Sequence, residues 1–209
     1  MKKNSIICAF ALMAFLSSCS LVDLVDNAEE YSKYTRDIES GKLFEEERGT
    51  VEYEDGSLLT FKDFGRKYCY RLGYSSTRIL FDNNSVSTID DSLQVFSVFG
   101  VGESEQATYW EKCPFLFQKP YYDAINNGVK IAGLFSGENI KYTKTKKTIA
   151  GKECDVYSLE GTSWGGWHRI LFLLQENETQ DPSLQAVSVQ SEAKDDWLIV
   201  PSGYTKISQ

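Results

Sequence analysis

The stretch RGTVEYEDGSLLTFKDFGRKYCYRLGY, Arg48 to Tyr74, decides the fold. Gly49, Val51 and Tyr53 alternate with Arg48, Thr50, Glu52 and Glu54, and a period of two is the signature of a half-buried strand. Asp55-Gly56 follows at once, a dipeptide suited to the positive-φ positions of a tight hairpin. Leu58 to Phe64 then runs back as a second strand. Tyr68, Tyr70, Leu72 and Tyr74 place one aromatic face on a third, with Lys67, Cys69 and Arg71 opposite. Working outward, Arg78 to Phe81 is a fourth strand closed by Asn83-Asn84, and Leu93 to Phe99 is another, closed by Gly100 and Gly102. Consecutive strands joined by short turns predict an antiparallel meander.

The middle of the chain breaks this rhythm. Glu103 to Gln118 reads as a loop containing Trp110 and Pro114. Pro120 suits the first turn of a short helix over Tyr121 to Ile125, stopped at Asn127-Gly128. Val129 to Phe135 is short and apolar and fits either strand or helix. Strands resume after Gly137. Ile140 to Thr148 carries Lys141, Lys144, Lys146 and Lys147, a pattern that guards a sheet edge and that also suits anionic groups. Cys154 to Leu159 alternates, Gly161 marks a turn, and Ile170 to Leu174 predicts a strand buried on both faces. Leu184 to Val189 is a further strand, and Trp197 to Val200 the last before Pro201.

Before Arg48 the pattern is different. Leu21, Leu24, Val25, Ala28 and Tyr31 recur at helical spacing, with Gly41 as a stop, so residues 19–44 read as an N-terminal tether or helix. Its apolar stripe either packs on the domain or meets a partner. Met1-Lys2-Lys3 is positive, Ile6 to Leu16 is an apolar run of signal-peptide length, and Ser17-Ser18 are small. Small residues directly before Cys19 at the end of such a run resemble the bacterial lipobox. That resemblance implies cleavage between Ser18 and Cys19, acylation of Cys19, and residence in the cell envelope as an outer-membrane-anchored lipoprotein.

A cut there removes 18 of 209 residues and leaves 191, enough for one domain with a sizeable core. It also removes Lys2 and Lys3, so the net charge of −8 becomes −10. A chain this acidic repels polyphosphate, which argues against a nucleic-acid partner. No later apolar run approaches the ~20 residues of a membrane helix, so the lipid is the expected membrane attachment. Cys69, Cys113 and Cys154 remain, an odd number that allows at most one disulfide within a monomer and whose separations do not form a CxxC zinc knuckle; two or all three read as buried small apolar residues.

Signals of chemistry are thin. His168 is the single histidine, which rules out a multi-histidine metal site, and no G-x-S-x-G elbow or P-loop occurs. Asp90-Asp91 and Asp195-Asp196 are adjacent pairs that strands would turn to opposite faces. The reading is non-catalytic, with no cofactor and no metal. Trp164-Gly165-Gly166-Trp167 is the oddest local feature, either a glycine hairpin with packed tryptophans or an aromatic gate between Trp164 and Trp167.

Two motifs carry a family resemblance. Thr148-Ile149-Ala150-Gly151-Lys152-Glu153-Cys154-Asp155-Val156-Tyr157 resembles a strand-turn-strand pattern of lipoprotein-carrier domains, and Val200-Pro201-Ser202-Gly203-Tyr204 resembles their closing P-x-G-Y. The resemblance implies a mainly β, α+β fold for residues 45–209: a curved antiparallel sheet, an unclosed barrel with a few helices on its concave side. It further implies an apolar ligand, such as lipid or lipoprotein acyl chains, held on a face for which Tyr68, Tyr70, Leu72, Tyr74, Ile170, Phe172 and Leu174 are the candidates. The alternative is an envelope or surface accessory protein that docks a protein partner without a ligand cavity.

Overall fold

A computed structural model describes residues 32–102, 105–106, 109–110, 112–117, 145–159, 161–177 and 184–208. The expected signal and lipidation residues Ser18 and Cys19, most of the leading helix, and the Tyr121 to Ile125 and Val129 to Phe135 segments lie outside these residues.

The described chain is mainly β, with twelve strands in one open sheet. The first six form a meander: β1 (Gly49–Tyr53), β2 (Leu58–Lys62), β3 (Lys67–Arg71), β4 (Thr77–Asp82), β5 (Ser85–Asp90) and β6 (Val95–Gly100). Five more form a second: β7 (Thr145–Ile149), β8 (Lys152–Leu159), β9 (Thr162–Trp167), β10 (Ile170–Gln175) and β11 (Leu184–Gln190). β11 pairs antiparallel with β1, joining the two meanders, and β12 (Thr205–Lys206) adds in parallel to β6. The sheet order is β12-β6-β5-β4-β3-β2-β1-β11-β10-β9-β8-β7, whose ends do not pair with one another. The expected unclosed sheet is therefore what forms. A bulge at Glu52/Tyr53 bends it at the β1–β11 seam where the halves meet, and another at Leu171/Leu173 bends β10 against β9 within the second half.

The large core lies on the face carrying Val51, Tyr53, Leu59, Phe61, Tyr68 and Phe81. Helical residues 32–39 (α1) cover part of it with Tyr34 and Ile38. Gly41 ends this helix as the sequence predicts. At φ +79 it donates to Ile38 O while Lys42 donates to Asp37 O, the paired bonds of a Schellman cap. Residues 109–110 and 112–117 cover the rest: Phe115 stacks on Tyr53 at 4.6 Å and Trp110 meets Phe81 edge-on at 6.0 Å. β10 binds β11 only at Leu173 and Leu174. Its first residues are taken instead by this segment, through Leu171 N–H to Phe115 O (2.8 Å) and Phe117 N–H to Arg169 O (2.9 Å).

A second core lies on the opposite face. Cys69, Leu80 and Ile89 are covered there by Leu198, with Trp197, Val200 and Tyr204 packed around them. The sequence predicts a strand over Trp197 to Val200; the chain instead turns there and lies flat across β3 to β5 as a strap. Polar bonds fix it. Buried Thr50 donates to Glu192 O at 2.8 Å, Thr60 Oγ1 accepts from Lys194 N–H at 2.9 Å, and Arg78 donates to Trp197 O at 2.7 Å. Arg78 is 3% exposed, is ion-paired with Asp91 at 3.0 Å, and lies with Arg71 against the Trp197 ring.

Further departures from the sequence reading have local causes. β3 ends at Arg71, because Gly73 turns at φ +55 and Arg71 donates to Gly73 O and Gly56 O. Leu72 and Tyr74 consequently leave the aromatic face and are 54% and 83% exposed. Gly165-Gly166 is not a hairpin but the middle of β9; the turn that follows is His168-Arg169. β5 is an added strand, Ser-Val-Ser-Thr-Ile-Asp, too polar to read as one. Cys69, Cys113 and Cys154 are free and buried, as expected, and burial pushes their thiols up to about 11, 12 and 11.

Replacing Arg78 with Ala is expected to cost about 2–3 kcal/mol, below the ~3–5 of a fully buried pair because the stranded Asp91 carboxylate reaches water. Urea unfolding followed by tryptophan fluorescence measures it; a loss under about 0.5 kcal/mol would mean that the strap does not depend on Arg78.

Candidate functional site

The site grows from the β9–β10 hairpin. Its two central residues, His168 (φ 46) and Arg169 (φ 67), are both left-handed, the geometry that two-residue hairpins need and usually fill with Asn-Gly. Forcing two residues with Cβ atoms into it costs roughly 1–2 kcal/mol each. The strain presents both side chains to α1 and to the linker that follows it.

There they meet carboxylates. Arg169 Nη2 is paired with Asp37 at 2.6 Å and lies 3.6 Å from Glu45, and its guanidinium sits over the Tyr34 ring at 5.3 Å. His168 Nδ1 is 3.1 Å from Glu45 Oε2, and Nε2 is 3.8 Å from Glu46. Lys33 approaches Glu45 at 3.5 Å. Burial alone would raise the Glu45 carboxyl, but the His168 hydrogen bond, with Lys33 and Arg169 nearby, holds it below its ordinary value. Arg169 Nη1 is buried and finds no hydrogen-bond partner among the described residues. A buried donor left so costs about 1–3 kcal/mol, more on a charged group.

Beside this cluster is a cavity of about 220 Å³. Tyr34, Phe117, Tyr157 and Gly166 form an apolar floor, and Lys33, Glu45, Asp155, His168 and Arg169 a charged rim. Gly166 makes room for the floor: a Cβ there would land within the Phe117 ring, and one on Gly165 would come within 2.9 Å of Ile149. The two glycines that the sequence suggests as a turn serve instead to let neighbouring side chains close on the strand.

The other candidates are spread through the fold. Tyr68 and Tyr70 face the large core, where Tyr68 stacks on Phe81 at 5.2 Å and Tyr70 meets Phe115 edge-on at 6.0 Å. Ile170 and Phe172 are fully buried in the same core, and Leu174 is half-buried. Leu72 and Tyr74 are surface residues, so the seven do not make one continuous face. Trp164 and Trp167, three apart on β9, project to opposite faces and do not flank a common opening. Trp167 packs on Phe172 at 5.4 Å with the Lys152 ammonium 4.8 Å from its ring. Asp91 is committed to Arg78 and Tyr204, and Asp90 accepts from Ser92 and Leu93 in its own turn. Among the described residues no group of His, Cys, Asp and Glu is arranged to hold a metal ion. Arg169, Glu45 and Asp37 are the residues that sequence reasoning missed; the one available signal was a cation beside the single histidine, directly before an apolar strand.

The sequence matches no family model, and no curated protein is significantly similar to it.

Two outcomes follow. With its folded value lowered, the Glu45 carboxylate contributes stability fully above its ordinary value of 4.5, and that contribution is lost as the pH falls through the folded value. Glu45→Gln should therefore lower the melting temperature at pH 7 by an amount equivalent to under about 1 kcal/mol, since the pair is part-exposed. The difference from the native chain should narrow as the pH falls below 4.5 and through the lowered folded value; an offset that does not narrow in acid would assign the loss to packing. Gly166→Ala should overpack the floor and cost about 1–3 kcal/mol, and Phe117→Leu in the same chain should recover much of it. Chemical denaturation of the single and double variants measures this coupling.

Proposed function

We propose that this chain is a lipid-anchored protein of the bacterial cell envelope, attached to the outer membrane through Cys19, that works by binding an apolar ligand without catalysis. The anchor rests on the lipobox-like Leu16-Ser17-Ser18-Cys19. The binding role rests on one observation, the cavity at the β9–β10 hairpin, where an aromatic floor lies under a charged rim. That is the arrangement an amphipathic molecule needs, with apolar surface for a tail and polar groups around a head. At about 220 Å³ it is below the ~300–1,000 Å³ usual for small-molecule sites, so it suits one end of a chain rather than a whole lipid. The ionisable groups nearby have structural partners: His168 and Lys33 at Glu45, Arg169 at Asp37.

A second reading has its own observation. Exposed Tyr74 and Val187 line an open groove with half-buried Trp197, rimmed by Glu52, Glu54, Arg71 and Lys194, and exposed apolar side chains gathered this way suit a protein partner. An accessory protein docking through that groove would need no ligand.

Native mass spectrometry separates the two. The native chain should carry acyl mass on Cys19 and sediment with membranes, and Cys19→Ala should abolish both. The unanchored chain should then retain, or take up from offered fatty acyl compounds, an extractable lipid mass. A clean mass after saturation with such compounds overturns the ligand reading and leaves the groove.

A further inference from the structure

We infer that the groove between the strap and the β1–β2 hairpin is a second binding site, independent of the cavity at the β9–β10 hairpin, and that its ligand is a neutral oligosaccharide. One sugar ring stacks on Tyr74, and sugar hydroxyls bond to Glu54, Arg71 and Lys194.

Tyr74 is the fixed point of the groove. It is 83% exposed, yet its ring has a seat. A Cβ on Gly56 would stand 2.6–2.7 Å from Cε1, Cζ and Cε2 at once, a position over the flat of the ring rather than at its rim. One ring face therefore rests on the hairpin tip, and the other is open to water. An open aromatic face carries partial negative charge and attracts the C–H groups on the flat side of a sugar. Arg71 holds the surroundings in place. It donates to Gly73 O at 3.1 Å and to Gly56 O at 3.0 Å, and lies against the Trp197 ring at 5.2 Å. One guanidinium thus joins both turns to the strap, so the groove is formed before a ligand arrives. At about 580 Å³ it falls within the ~300–1,000 Å³ usual for small-molecule sites.

The polar groups decide the ligand. Glu52 and Glu54 line the groove with Arg71 and Lys194, and Asp55 follows Glu54. Asp55 is turned into its own hairpin, accepting from Ser57 N–H and Ser57 Oγ. On the strap, Asp195 pairs with Lys62, while Asp196 lines a separate groove beside Asp91, the partner of Arg78. Neither sign is in large excess, so a charged ligand gains little here. What the rim offers is acceptors beside donors. Glu54 is exposed and accepts from no described residue, and Glu52 takes one bond from Lys194 at 2.8 Å. Guanidinium has five N–H donors and ammonium three, so Arg71 and Lys194 both keep donors to spare. A hydroxyl is a neutral group that donates and accepts at once, and a sugar carries several on each ring. An acyl chain laid here would bury the charged groups unpaired. A proline-rich peptide brings carbonyls but few N–H groups, which would serve the cations and leave Glu54 covered without a donor.

The test offers the full chain with Cys19→Ala to a printed array of neutral oligosaccharides from the glucose, mannose, galactose, xylose and N-acetylglucosamine series. At least one series should bind. NMR titration with its trisaccharide should shift the Trp197 indole and Arg71 guanidinium resonances. Tyr74→Ala should weaken binding tenfold or more, and Tyr74→Leu, which keeps apolar bulk without a ring face, should do the same. Tyr74→Trp should retain binding, which shows that the position tolerates exchange. The trisaccharide of the matching uronic acid should bind no better than the neutral one. No binding across the array overturns the inference. Binding that Tyr74→Leu leaves intact places the sugar elsewhere and overturns this site, and tighter binding of the uronate overturns the neutral assignment. Capture of decaproline through Tyr74, with no sugar bound, assigns the groove to a peptide and overturns the inference as well. Each of these results leaves the apolar-ligand reading standing, since that is tested by acyl mass at a different site.

Discussion

The pairing of β1 with β11 is the constraint on which this structure depends. Each meander is local: its strands follow one another through short turns and could form from neighbouring chain. Neither closes its own core. Val51 pairs with Val189 and Tyr53 with Ala186, and only that seam brings the aromatic face of β1 to β3 against the apolar β10. Thr50 adds a buried bond to Glu192, 142 residues away along the chain. Contacts so distant carry a large loop-closure cost that nothing repays until they form. The core must therefore be repaid in one step, by burying residues from both halves together. Tyr53 shows this most directly, stacking on Phe115 while donating to Leu171 O at 2.7 Å.

The seam also explains why the sheet is buried on both faces over β3 to β5. An antiparallel meander ordinarily leaves one face to water. Here Cys69, Leu80 and Ile89 put a second apolar row on the outer face, and the strap that covers them can start only where β11 leaves off, at Ser191. Its path is set by polar groups rather than by strand pairing. Thr50, Thr60 and Arg78 are buried beneath it, each satisfied by a strap backbone group. Each strap group so bonded helps to specify the position, since another placement would forfeit those buried hydrogen bonds.

How much of this can be read from the chain depends on whether the information is local. The period of two, Asp55-Gly56 and the Gly41 stop act over a few residues, and the strands and helix end they announce are present. The failures are tertiary. Trp197 to Val200 has the composition of a strand and becomes a strap because the outer face of β3 to β5 needs cover. Ser85 to Asp90 has only Val86 and Ile89 as apolar residues yet is a strand, because β4 and β6 supply a partner on each side. Leu72 and Tyr74 continue the alternation of β3 in sequence, but Gly73 turns the backbone and the pattern outlives the strand. Gly165-Gly166 reads as a turn when its contacts are unknown; with Phe117 and Ile149 in place it reads as close packing. The candidate site was the least legible part, since Asp37, Glu45 and Arg169 come from three separate stretches and have no spacing to betray them.

The placement of that site follows from the same seam. β11 reaches β10 only at Leu173 and Leu174, so the first residues of β10 would be an open edge had the segment 115–117 not bonded to them. Phe117 is carried by that segment onto Gly166, and the space beside it is what remains between a bent sheet end and α1. A cavity there is thus a consequence of two short strands meeting imperfectly. The hairpin beside it is strained, as Asp63-Phe64 is elsewhere: Asn-Gly would form the His168-Arg169 turn more cheaply and would leave the apolar floor intact. Strain retained where a cheaper turn exists points to the side chains it presents. Of the two, His168 has its partner in Glu45, whereas Arg169 has one terminal nitrogen bonded and one buried without an acceptor among the described residues. The two left-handed residues thus fix a paired imidazole and a paired guanidinium at the corner where α1, the linker after it and the second meander meet.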